Sequence, residues 1–81
     1  MKYPRNEESS RPYRLWDAKA KASMPYRYYK HHRRAHLGAL IECRWAKVGT
    51  TIEVFNVTNG RLLGQYYRGV DGIKFSGGSN A

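Results

Sequence analysis

Eighty-one residues allow one domain and a small hydrophobic core. A content of 41% hydrophobic and 14% aromatic residues excludes a wholly disordered chain. The formal charge is +9, and it is lopsided: residues 1–48 hold 12 basic and 4 acidic side chains, a balance of +8, whereas residues 49–81 hold 3 against 2, a balance of +1. Such a field draws in polyanions and opposes compaction, so it points to an anionic partner.

Residues 1–10 are polar and without periodicity, and read as a flexible arm. Residues 12–17 suit a short strand with Tyr13 and Leu15 on one side and Arg14 and Trp16 on the other. A small-residue, lysine-containing connection leads to a second strand over 24–30, with Tyr26 and Tyr28 opposite Arg27 and Tyr29. Pro25 fits an edge strand.

Residues 31–48 read as an amphipathic helix. At 100° per residue Leu37, Leu40, Ile41, Trp45 and Val48 fall within an arc of about 140°, which is expected to face the core with Trp45 buried. Gly49 is the expected stop, and Gly38 marks a close approach to the sheet. Ile41, Cys43 and Trp45 also alternate at period two, so a strand over 40–48 competes with the helix; five apolar positions favour the helix.

Residues 50–68 read as a hairpin about Asn59-Gly60, with Thr58 opposite Arg61, Val57 opposite Leu62, Phe55 opposite and covering Gly64, Val54 opposite Gln65, and Ile52 opposite Tyr67. Asn56-Val57-Thr58 has the form of a glycosylation acceptor but reads as part of this turn. Asp71-Gly72 makes a further turn, after which 73–75 are an optional short last strand beyond the four counted in the fold. The expected fold is therefore α+β, β-β-α-β-β in order, with one amphipathic helix packed on an antiparallel sheet. It is a single domain over 11–75, followed by a flexible tail over 76–81. Both faces of the second hairpin carry apolar residues. One packs on the helix, and the other is open to a partner or to a second copy in a homodimer.

Chemistry-bearing motifs are few. Cys43 is the only cysteine, so no internal disulfide forms. His32 and His36 stand one helical turn apart, but Cys43 lies roughly 10 Å farther along the helix, so surface histidines explain the pattern better than a metal site. Asp17, Glu42, Glu53 and Asp71 form no evident catalytic pair and no phosphate loop follows a strand, so neither an enzyme nor a cofactor is expected. No secretory leader or membrane-spanning run is visible, since apolar runs do not exceed three residues. A cytoplasmic setting without membrane contact is the expectation.

What remains is the basic cluster. Lys30, Arg33, Arg34, Arg44 and Lys47 on the helix side, with Arg14 and Arg27 from the first hairpin, suit phosphate contacts, and Tyr28 and Tyr29 suit stacking. Arg33, His36, Leu40, Arg44 and Lys47 follow one helical ridge. The plainer reading of the same charges is a solvated face kept for solubility. In size and composition the chain resembles small accessory proteins of bacteriophages and mobile elements, a group that includes anti-CRISPR and host-takeover proteins; the resemblance assigns no residue. Two functions are expected from these residues. The first is a nucleic-acid-binding accessory protein that grips the phosphate backbone, of duplex DNA above all. The alternative is a protein–protein inhibitor or adaptor, of the anti-CRISPR or host-takeover type, that docks on an acidic or nucleic-acid-binding surface of a host complex.

Overall fold

The chain is described by a computed structural model over residues 9–77. Strands β1 (Tyr13–Asp17) and β2 (Ala22–Tyr29) precede helix α1 (His32–Trp45), and β3 (Thr51–Asn56), β4 (Arg61–Gly69) and β5 (Gly72–Gly77) follow it. All five strands join one antiparallel sheet in the order β2-β1-β3-β4-β5, and α1 lies across one face. The α+β architecture of the sequence reading holds, with a fifth strand. Ser76 and Gly77, placed in the tail by sequence, belong to β5, where Gly77 pairs with Gly64. The expected arm and the rest of the tail lie outside the described residues, apart from Ser9 and Ser10.

Each connection has a local cause. The Asp17 carboxylate accepts the backbone N–H groups of Lys19 and Ala20 at 2.9 and 3.2 Å, which closes the β1–β2 turn. Four residues of β2, Met24–Arg27, stand opposite Leu15 alone, and Tyr26 adopts a positive φ of 63° there. An edge strand tolerates this bulge and its proline because its outer backbone groups need no ladder partner. In the second hairpin the Asn56 side chain accepts the Thr58 N–H at 2.8 Å and the Asn59 side chain accepts the Arg61 N–H at 2.9 Å.

The register of that hairpin differs from the two-residue-loop expectation. Asn56 pairs with Arg61, Phe55 with Leu62, Val54 with Gly64, Glu53 with Gln65 and Ile52 with Tyr66. The loop is Val57–Gly60, and a bulge at Leu63 restores the alternation. Gly64 is covered by Phe75 and His36, not by Phe55.

The helix is real, and its orientation is the reverse of the expected one. Ala35, Ala39 and Cys43 are fully buried against Leu15, Ile52 and Val54, with Tyr13, Tyr29, Leu63, Tyr66 and Ile73 packed around them. The apolar stripe faces outward instead: Leu37 is 53% exposed, Ile41 49% and Trp45 84%, and Leu40 and Val48 are exposed as well. The physical reason is volume. The sheet supplies the bulky side chains, and a helix can sit close above them only through small residues. At Gly38 an added Cβ would overlap the Tyr29 hydroxyl and stand 2.6 Å from its ring carbon Cζ, so the close approach expected at Gly38 is to Tyr29. The helix stops at Trp45, earlier than the Gly49 expected from sequence. Ala46 turns extended, and the Gly49 N–H instead donates to the Arg68 carbonyl at 2.8 Å on the way into β3.

On the face of the sheet away from α1, Trp16, Phe55 and Val57 form a second buried cluster, with the Trp16 and Phe55 rings edge to face at 6.1 Å. Glu53 is buried beside them and accepts a 2.6 Å hydrogen bond from the Gln65 amide. Of the side chains that the second hairpin turns to this face, Phe55 and Val57 are buried in a single chain, Leu62 is half-buried, and Tyr67 is exposed. The outward stripe of α1 has the larger exposed apolar residues.

This packing predicts that Trp45→Ala changes stability by no more than about 0.5 kcal/mol, as at an ordinary surface position. Leu15→Ala should cost roughly 2–5 kcal/mol, as a buried leucine does. Urea unfolding of the two variants checks the contrast; equal losses would return Trp45 to the core.

Candidate functional site

The end of β2 and the start of α1 are continuous, with Lys30 and His31 bridging them. There the chain forms a cleft of about 350 Å³ lined by Arg11, Tyr28, Tyr29, Lys30, His31 and Arg34. No carboxylate lines it. Four of the six side chains are basic, and two are aromatic.

The helix adds to this field. Its N-terminus carries the positive end of the backbone dipole, and acidic residues are the usual occupants of a first turn. Here none is present, and no side chain caps the first turn, since the N-cap residue is His31 in an extended conformation. Cations at this end of a helix oppose folding, and a bound anion would relieve the opposition.

Tyr28 and Tyr29 are adjacent in a strand and so point to opposite faces. The Arg14 guanidinium carbon lies 4.2 Å from the Tyr28 ring centroid, a cation–π contact that fixes the ring where it lines the cleft. Tyr29 is wedged beneath Gly38, and burial pushes its hydroxyl above the usual phenol range, with the Arg27 charge opposing the rise. Its role is packing first, with an edge left to the cleft.

The structure separates the remaining candidates. Arg27 donates through Nε to Glu42 Oε1 at 2.7 Å, and its Nη2 stands 2.6 Å from the same oxygen, so its charge is engaged in tying β2 to the helix. Arg33, Arg44 and Lys47 are exposed. Arg44 lies roughly 15 Å along the helix from Arg34 and lines a different groove, with Leu40, Arg68, Gly72 and Ile73. The ridge of Arg33, His36, Leu40, Arg44 and Lys47 is interrupted, because His36 turns inward. Arg11 and His31, which in sequence are only part of the general charge, join the cleft. The pairing of Tyr13 with Tyr29 explains this, since extending the antiparallel register brings residue 11 beside residue 31.

His36 sits in an aromatic box. Its Nδ1 and the Tyr66 hydroxyl share a 2.9 Å hydrogen bond, and the rings of Tyr66, Phe75 and His32 stand edge to face around it. Burial holds its pKa below the ordinary histidine value, with the neighbouring His32 charge adding to the effect. Cys43 is buried too; burial pushes its thiol up, the Arg68 charge opposes this, and its Sγ donates to the Tyr66 carbonyl at 3.5 Å. Among the described residues no group of three or more His, Cys, Asp or Glu is placed to hold a metal ion, and no helix is long and apolar enough to cross a membrane.

The sequence matches no protein-family model, and no curated protein or solved structure is significantly similar to it.

The depressed pKa of His36 gives a pH dependence of defined sign. Below about pH 6.5 the unfolded chain binds a proton that the folded box resists. The His36 contribution is therefore complete above that pH and is lost as pH falls toward the folded-state value. Between about pH 7.5 and 5.5 the urea midpoint should drop, and His36→Asn, which does not titrate, should drop less. Equal drops in both proteins would show that His36 protonates freely in the fold.

Proposed function

We propose that this protein is a small, non-catalytic nucleic-acid-binding accessory module that grips the phosphate backbone, of duplex DNA above all, at the β2–α1 junction. The observation that carries the reading is the cleft itself: Arg11, Lys30, His31 and Arg34 converge there with Tyr28 and Tyr29, without a carboxylate, at the positive end of the helix. Adjacent phosphates would be met by the two guanidiniums and the ammonium. The tyrosines provide flat edges for sugars or for an unstacked base. Phosphate contacts carry little sequence information, so binding without strong base preference follows.

The overall charge supports the same reading. Lys19, Lys21, Arg33 and the other exposed cations of the first half raise the encounter rate with a polyanion wherever they sit. The cleft then decides where the backbone rests.

In a gel-shift assay at roughly 50 mM salt the protein should bind duplex DNA, and affinity should fall steeply toward physiological salt as counterions are released. The triple variant Arg11→Glu/Lys30→Glu/Arg34→Glu should abolish binding with little loss of stability, because exposed charges contribute little to folding. Arg61→Glu/Lys74→Glu should retain most of it. No binding by the native protein at low salt, or equal loss in the two variants, would contradict the proposal.

A further inference from the structure

The most exposed large apolar side chains of α1 are the ones that ordinarily fill a core. Leu37 and Ile41 form the centre line of its outward face, and Trp45 and Leu40 flank them on either side. This face is distinct from the cleft, which reaches the helix only at Arg34. We propose that the outward face of α1 is a docking surface for a partner protein, and that the partner presents an acidic amphipathic segment, apolar along its centre and bearing carboxylates on its flanks.

Charge identifies the occupant. Arg33, Arg34, Arg44 and Lys47 are all exposed along this helix and the turn after it. Glu42 is the only carboxylate of α1, and it is turned toward β2 and paired with Arg27. The surface is therefore apolar with a cationic frame, and its complement is apolar with an anionic frame. Beside it, between α1 and β5, runs a groove of about 390 Å³ in which Leu40 and Ile73 provide apolar walls and Arg44 and Arg68 provide guanidiniums. That groove suits one apolar side chain of the partner next to a carboxylate.

The other occupants fit less well. A second copy would set the cations of one helix against those of the other: an antiparallel pair puts Arg33 and Arg34 opposite Arg44 and Lys47, and a parallel pair puts each against itself. Duplex DNA would satisfy the cations and leave Leu37, Ile41 and Trp45 in water. An anionic bilayer would take the apolar residues. Arg34 and Arg44, however, each lie within about 40° of the Leu37–Ile41 centre line at 100° per residue, so insertion would strip water from two guanidiniums. A protein segment with carboxylates covers the apolar centre and pairs the arginines together.

The test is selection of random displayed peptides of about 14–16 residues, four helical turns, on the full-length protein with excess duplex DNA present to occupy the cleft. Selected peptides should be acidic, with apolar residues spaced three and four apart, and binding should shift Trp fluorescence. Affinity should fall at least about tenfold, which is roughly 1.4 kcal/mol, for Ile41→Asp and separately for Arg44→Ser/Lys47→Ser, each with an unchanged circular dichroism spectrum. The cleft variant Arg11→Glu/Lys30→Glu should keep full peptide affinity, so loss of DNA binding and loss of docking can be told apart. Five results would overturn the proposal: no selected peptide, peptides that bind Ile41→Asp as well as the native protein, a native dimer that Ile41→Asp dissolves, anionic phosphatidylserine vesicles bound through Ile41, or oligothymidine bound through Trp45.

Discussion

Everything in this fold depends on how closely α1 can approach the sheet. Ala35, Ala39 and Cys43 present almost no volume, and the space beneath them is filled from below by Leu15, Ile52, Val54 and a ring of tyrosines. Gly38 takes the closest contact, where the Tyr29 ring occupies the position a side chain would need. With the core filled in this way there is no room for Leu37, Ile41 or Trp45 beneath the helix. The geometry that buries Cys43 and encloses His36 is the same geometry that turns the large apolar side chains outward.

Much of this architecture was legible in the sequence, because strands and turns announce themselves through alternation, glycine and asparagine. The split of Tyr13 and Leu15 from Arg14 and Trp16 follows from the pleat of β1 and holds in the structure, with Leu15 and Trp16 in separate buried clusters. The helix was legible from its stripe, but its orientation was not. A stripe marks amphipathicity; it does not say which side meets the core when the sheet brings its own bulk. The signal that points the right way is the small-residue spacing of Ala35, Ala39 and Cys43, together with Arg34 and Arg44 lying inside the apolar arc. The second hairpin shows a different limit. Asn59-Gly60 marks the turn, but the bulge at Leu63 and the four-residue loop shift the register, and no local residue choice announces either.

The candidate binding residues were legible as a composition and not as a place. Sequence gives the cations; the fold decides which of them remain available and which converge. Arg27 is engaged by Glu42 across fifteen residues of sequence, and Arg11 reaches the cleft only because β1 and β2 pair as they do. In the proposed account the two surfaces divide the labour. The junction of β2 and α1 takes phosphates, and the outward side of α1 takes an acidic protein segment. One helix would then serve two partners, one at its N-terminal end and one along its outward face, a natural arrangement for an accessory protein in a nucleoprotein assembly.

The inward placement of the small helix face can be tested through the one thiol of the chain. Cys43 lies on the buried side together with Ala35 and Ala39, and it would be exposed if the leucine–tryptophan stripe faced the sheet. Labelling the native protein with a thiol reagent at neutral pH, with the urea-unfolded protein as reference, measures this directly. The account predicts that Cys43 is protected in the native protein and reacts freely once it unfolds. Rapid stoichiometric labelling of the folded protein would contradict it, and would place the large apolar side chains of α1 in the core.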